Sequence, residues 1–368
     1  MKRLRTLVKL FIITFIVAAC VPSTPIVVEE TKEATSVDAE MQTVSSTAQV
    51  AEEPTDFKMV TIHVSPVDTG WERSLILAVE RLAASKPHGL TITNEAVERV
   101  AFADVERIIR EYAASGKYDL IYLNTAYRDA ACKVAAEFPD QLFAIKTNPS
   151  AYKCFTGGNN LFWLNSSAIS QCSYLAGVLA SSVTKSKIIG VTASMPSAEI
   201  NEGVNAFIEG AKATDTDVKV KVTFVDSYYD PVKAREAAEA QLNTGADLIY
   251  GTLDGTAEAV IAHKAYSISN YVDYSYLAPD NTVASIVANW DPGLKMLIDI
   301  WWNHKMYGGP YNSPSTAIAY SMWDNSCDLA ISDKLVPPDV IAKVQDLKQQ
   351  ILDYKLVINA NYEKPASD

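Results

Sequence analysis

Aromatic and acidic side chains recur in this chain where apolar, strand-like runs give way to polar turns. Asp68-Thr69-Gly70-Trp71 follows a run at 60–64, and Asn124-Thr125-Ala126-Tyr127 follows one at 119–123. Ser227-Tyr228-Tyr229-Asp230-Pro231 follows a run ending at Val225, and Thr252-Leu253-Asp254 follows one at 247–250. Asp273 and Trp290 stand near the ends of later runs. Singly, each has an ordinary structural use: an Asp before a helix is commonly its N-cap. Their recurrence at the same end of several strands means more, because in open parallel sheets ligands bind outside the carboxyl ends of the strands. Rings gathered there stack on a flat ligand, and carboxylates accept hydrogen bonds from its N–H groups. The expected ligand-binding set is therefore Asp68, Trp71, Tyr127, Tyr228, Asp230, Asp254, Asp273 and Trp290.

Covalent chemistry has little footing. The sequence holds no Gly-x-x-x-x-Gly-Lys-Ser/Thr loop, no Gly-x-Gly-x-x-Gly, no Gly-x-Ser-x-Gly elbow and no His-Glu-x-x-His, so the usual routes to NTP hydrolysis, dinucleotide binding, serine hydrolysis and zinc proteolysis are missing. His63, His88, His263 and His304 stand apart from one another and from the cysteines, which argues against a metal site. His63 lies within a strand run and is expected in the core or between lobes; His263 is expected on the surface. Binding without catalysis is the expectation.

The elements that would position these residues alternate. Strand runs at 60–64, 90–93, 119–123 and 141–145 are separated by helical patterns at 71–84, 102–112 and 130–138. A second series has strands at 187–191, 218–225 and 247–250, with helices at 199–213, 231–242 and 257–265. Such βαβ alternation calls for parallel sheets covered on both faces. The two series echo each other: Gly116-Lys117-Tyr118-Asp119-Leu120-Ile121-Tyr122 resembles Gly245-Ala246-Asp247-Leu248-Ile249-Tyr250, each a Gly-capped helix end leading into Asp-Leu-Ile-Tyr. Two similar lobes are expected, with a small-residue helix at 174–183 leading from one to the other. A strand at 285–290, a helix at 293–302, a strand pair at 316–322 and 328–335, and a closing helix to about 354 complete the pattern.

The chain opens with an export signal. Lys2, Arg3, Arg5 and Lys9 precede an apolar run from Leu10 to Val17, and Val17-Ala18-Ala19-Cys20 ends it with small residues before a cysteine. That run is too short for a membrane span, which needs roughly 20 residues. Cleavage before Cys20 and acylation of its thiol are expected, giving a membrane protein by lipid anchor only. Residues 20–57 carry eight acidic side chains, one Lys and no aromatic before Phe57; this composition reads as a disordered tether. Removing residues 1–19 takes away four basic residues and no acidic one, so the formal charge of −12 becomes −16. That balance disfavours nucleic-acid partners. Cys132, Cys154, Cys172 and Cys327 form an even set in an oxidising compartment; one or two disulfides are plausible and the pairing stays open.

In order and spacing, the motifs resemble the basic membrane protein family of solute-binding lipoproteins, also called purine nucleoside receptor-like. The resemblance runs from about Val60 to Tyr354. It is carried by Asp68-Thr69-Gly70-Trp71, by Tyr174-Leu175-Ala176-Gly177 with Lys187-Ile188-Ile189-Gly190, by Gly203-Val204-Asn205-Ala206-Phe207-Ile208-Glu209-Gly210, by Ser227-Tyr228-Tyr229-Asp230 and by Tyr276-Leu277-Ala278-Pro279. The resemblance implies a type I periplasmic-binding fold: two doubly wound parallel-sheet lobes, α/β in class, joined by three crossovers. The expected bounds are 58–183 with 286–310 for lobe 1 and 184–285 with 311–368 for lobe 2. It also implies the monomeric binding component of an ABC importer, served by permease and ATPase subunits, with a purine-type solute between the lobes and no cofactor. A sensory receptor of the same fold and a secreted nucleosidase are the alternatives. Carried over, Trp71 and Tyr228 would sandwich the base, and Asp68 would shape the first turn. The sequence departs from the nucleoside-binding pattern in three places. Tyr271 stands where that branch places its ribose-binding Asp, Ala288 where it has a Lys, and Asp254 in a stretch that is otherwise Gly-rich. Fewer sugar contacts and a gained carboxylate favour a free purine base, or a deoxy or modified nucleoside. The family's acidic residue before the crossover helix is Gln171 here.

Overall fold

A computed structural model describes residues 52–146, 154, 157–165 and 168–368. The export signal, Cys20 and most of the tether lie outside the described residues. From Ala51 onward the chain forms one compact unit of two sheets, each with helices on its faces.

The first sheet is built from β1 (Asp56–Ile62), β2 (Thr91–Val97), β3 (Leu120–Leu123), β4 (Leu142–Lys146), β5 (Leu161–Asn165) and β11 (Ile318–Ala319). Their order is β11-β5-β4-β3-β1-β2, all parallel. Helices α1 (Gly70–Ser85), α2 (Val105–Ser115), α3 (Arg128–Ala135) and α8 (Asp291–Tyr307) cover it. Every residue of β3 and β4 is buried, as a strand between two helical layers requires, so their apolar runs are continuous rather than alternating.

The second sheet holds β6 (Ile188–Ala193), β7 (Lys219–Phe224), β8 (Leu248–Gly251), β9 (Tyr266–Ser269), β10 (Thr282–Ala288) and β12 (Cys327–Ile331), in the order β12-β10-β9-β8-β6-β7. Only β12 runs antiparallel to its neighbour. Helices α4 (Ala168–Val183), α5 (Ala198–Thr214), α6 (Pro231–Asn243), α7 (Ala257–His263) and α9 (Pro338–Leu352) complete this lobe. The two echoing segments occupy equivalent places. Asp119 leads into β3 and accepts from the Lys58 N–H and Trp301 Nε1. Asp247 leads into β8 and accepts from the Lys185 and Ser186 N–H groups.

Helix α4 belongs by packing to the second lobe, not to the end of the first. A Cβ on Gly177 would lie 2.0 Å from the Phe207 carbonyl oxygen, and one on Gly210 2.0 Å from that of Tyr174. Two helices that pack backbone to backbone at glycines are one unit. Other bounds also differ from expectation. Phe57, placed in the tether, is fully buried in β1. β10 lies wholly in the second sheet, and the expected pair at 316–322 and 328–335 divides, β11 joining the first sheet and β12 the second.

Three passages therefore connect the lobes: between β5 and α4, between β10 and α8, and between β11 and β12. They are tied to one another. Gln171 Oε1 accepts from the Met322 N–H at 2.8 Å, and the Ser326 carbonyl accepts from the Asn289 N–H at 2.8 Å. Disulfides join Cys172 to Cys327 and Cys132 to Cys154. The first of these ties the start of α4 to the start of β12, beside two of the passages.

Candidate functional site

A cavity of about 480 Å³ opens between the lobes. Its walls come from the carboxyl ends of six parallel strands. Ser65 and Asp68 follow β1, and Asn124 and Thr125 follow β3. Ser194, Ser197 and Glu199 follow β6, and Tyr228 and Tyr229 follow β7. Thr252 and Asp254 follow β8, and Asn270, Tyr271 and Tyr274 follow β9.

Of the eight residues expected at the site, Asp68, Trp71, Tyr228 and Asp254 line this cavity. Trp71, in the first turn of α1, is held by edge-to-face contacts with Tyr271 at 4.8 Å and Trp290 at 5.1 Å between ring centroids, an arrangement favoured by the ring quadrupoles. Tyr228 comes from the opposite lobe; its hydroxyl is hydrogen-bonded to Ser197, and burial raises its pKa. Burial likewise lifts the Asp254 carboxyl above the ordinary aspartate range, while hydrogen bonds from Tyr274 and the Gly70 N–H pull it back.

The other four sit elsewhere. Tyr127 is buried in the first lobe and its hydroxyl donates to the His63 carbonyl at 3.1 Å; the 3₁₀ turn at Thr125–Tyr127 carries its ring inward. Asp230 caps α6, accepting from the Lys233 N–H at 3.0 Å. Asp273 accepts from the Ser275 N–H and Ser285 Oγ and faces a separate groove with Arg73 and Arg81. Trp290 is buried behind Trp71, its Nε1 donating to Ser74 Oγ at 2.6 Å.

Beneath the cavity, buried Glu72 organises the first-lobe wall. It accepts from Ser65 Oγ at 2.9 Å and Asn124 Nδ2 at 2.8 Å, and pairs with His63 Nδ1 at 2.7 Å. His63 is thus a core group. The Lys146 ammonium lies 2.8 Å from the Trp290 centroid and 4.9 Å from that of Trp71, and burial holds its pKa well below the usual lysine value. The strand-end logic applied to β6 points to Ser194 and Ser197; Asn270 and Tyr274 follow β9, whose Tyr-Ser-Ile-Ser run carries no apolar strand signal. Glu72 gave no comparable signal, because its partners are distant in sequence.

Among the described residues, four carboxylates, Asp68, Glu199, Asp254 and Glu258, line the cavity, with no Lys, Arg or His. A cleft walled by rings and carboxylates between two α/β lobes is the arrangement of a periplasmic-type solute-binding protein. Residues 58–309 match the family profile of PnrA-like ABC transporter substrate-binding proteins, and the chain belongs to that family. It is 31% identical over 256 residues to a purine-binding protein of Brucella abortus, spanning 65% of this chain and 70% of that one. It is also 31% identical over 229 residues to a putative ABC transporter glucose-binding protein of Haloferax volcanii, spanning 59% and 56% of the two chains. A solved solute-binding protein of an ABC transporter from Aeropyrum pernix shares the fold, with a TM-score of 0.68 at 16% identity, over 83% of this chain and 94% of that one.

Proposed function

We propose that this protein captures a purine base, or a purine nucleoside of reduced sugar polarity, in the interlobe cavity and delivers it to an ABC permease and its ATPase. The observation that carries the proposal is the pair Trp71 and Tyr228, presented to one cavity from opposite lobes. Closing such lobes on a flat heterocycle buries both its faces at once, and base–aromatic stacking is worth about 1–3 kcal/mol per base. Asp68 and the polar strand-end groups then meet its edge, carboxylates taking ring N–H and exocyclic amine donors. The Brucella relative is named for purine binding, which agrees.

Two features narrow the solute. The described lining residues carry four carboxylates and no basic side chain, which opposes a phosphate, so nucleotides are disfavoured. Tyr271, at the position where the resemblance places a ribose-binding Asp, is buried edge-on against Trp71; it fills space and supplies no carboxylate for a sugar diol. The binding role needs no catalysis. Cys20, once acylated, would hold the receptor at the extracytoplasmic face of the membrane beside its permease. No helix among the described residues is long and apolar enough to cross a membrane.

Calorimetry with adenine, guanine, adenosine, guanosine, AMP and glucose tests the reading. Binding of at least one free base, tighter than of its nucleoside and with no uptake of AMP, is expected. Clear nucleoside binding without base binding would sink the free-base preference, and glucose binding alone would replace the purine assignment.

A further inference from the structure

The N-terminus of α1 is closed by a residue from the other lobe. Its N-cap Thr69 makes no side-chain capping bond; the Thr69 hydroxyl donates to the Pro66 carbonyl instead. The Gly70 N–H points at Asp254 of the second lobe, 3.2 Å from one carboxylate oxygen and 3.4 Å from the other. The Tyr274 hydroxyl holds the same carboxylate from its own lobe. Around this contact the lobes touch closely: a Cβ on Gly70 would stand 3.0 Å from the Asn270 carbonyl oxygen and 3.2 Å from the Tyr274 hydroxyl. A second cross-lobe pair, Arg128 with Glu199 at 3.6 Å, lies on α3 and α5.

We propose that Asp254 is a closure latch: its carboxylate caps helix α1 across the cleft and sets how readily the lobes close, so that it tunes affinity for whatever solute the cavity holds. The first-turn N–H groups of a 16-residue helix lack intrahelical partners, and the helix dipole favours a negative charge there. Opening the lobes exchanges this contact for water, and closing restores it. Trp71 is the next residue after Gly70, so the latch also fixes the wall on which the solute stacks. This role rests on the proposed capture by lobe closure but not on the solute being a purine.

Two variants approach the latch from its two sides. Asp254→Ala removes the carboxylate. Gly70→Ala leaves it in place and wedges the closed interface. Gly70 does not require a left-handed backbone, and alanine is the better helix former, so that variant folds. Small-angle X-ray scattering on the ligand-free protein and calorimetry against the panel above are read together. Asp254→Ala is expected to expand the ligand-free protein relative to wild type, and both variants to weaken every bound solute, Asp254→Ala by about tenfold. Unchanged ligand-free dimensions in Asp254→Ala overturn the latch. So does an affinity loss in Asp254→Ala confined to amino-bearing solutes with Gly70→Ala silent, which makes Asp254 a direct solute contact. Should no purine bind the wild type, the proposed cargo fails, and the scattering comparison still decides the latch.

Discussion

Glu202 should make the protein less stable as the pH rises from about 4.5 to about 7, and its amide should remove that weakness. The side chain lies in α5, 4% exposed, and Oε1 has no hydrogen-bond partner among the described residues. Burial raises its pKa from 4.5 to about 7; a hydrogen bond to Ser170 opposes the rise, and nearby Glu199 adds to it. Below pH 4.5 the carboxyl is protonated in both folded and unfolded chains and costs nothing. Between 4.5 and about 7 the folded chain keeps the proton that the unfolded chain gives up, so stability falls as pH rises. Above about 7 the full cost stands, on the order of 3 kcal/mol. Glu202→Gln keeps the shape and a group able to bond Ser170, and it carries no charge. Its stability should match wild type at pH 4.5 and exceed it by about 2–3 kcal/mol at pH 8, a rise in Tm of roughly 5 °C for a chain of this size. Differential scanning calorimetry of both proteins from pH 4.5 to 8 reads this directly. A Tm difference that is constant across pH, or a variant less stable at pH 8, would refute the reasoning.

Three further outcomes follow from the same contacts. Trp71→Ala should weaken solute binding by about 10- to 100-fold while leaving the thermal midpoint of the ligand-free protein within a few degrees, since stacking is worth about 1–3 kcal/mol; calorimetry and a melt separate the two effects. Replacing Cys172 and Cys327 together by Ala should cost about 2–5 kcal/mol in urea unfolding, because that bridge closes a separation of 155 residues. Gly177→Ala should cost about 1–3 kcal/mol or more, since its Cβ meets the backbone of α5 rather than a movable side chain; an unchanged urea midpoint would show that α4 and α5 separate at little cost.

The α/β repeat was legible because central strands of parallel sheets are buried on both faces and therefore apolar throughout, as in β3, β4 and β8. Strands with weaker patterns were not. β2 is an edge strand with one neighbour, and its exposed residues carry the strand past 93, where the apolar pattern stops, to Val97. β9 is four residues with a Ser at every other position, and β5 lies outside the expected elements. Lobe membership of α4 and the parting of β11 from β12 depend on which distant surface each element meets, which local patterning does not encode. At the site, strand ends identified the right loops but not the direction of each side chain. Asp68, Trp71, Tyr228 and Asp254 reach the cavity from those loops. Tyr127 turns into the core, Asp230 turns to its own helix, and Trp290 lies one layer behind.

The central claim is that the cavity closes on a flat base between Trp71 and Tyr228. A crystal structure of the protein with a free purine base tests it most directly. The expected result is the ring plane parallel to the Trp71 indole and beneath Tyr228, with its edge N–H groups within hydrogen-bond reach of the carboxylates lining the cavity. A base bound outside this cavity, or held there edge-on with neither ring stacked on it, would contradict the account.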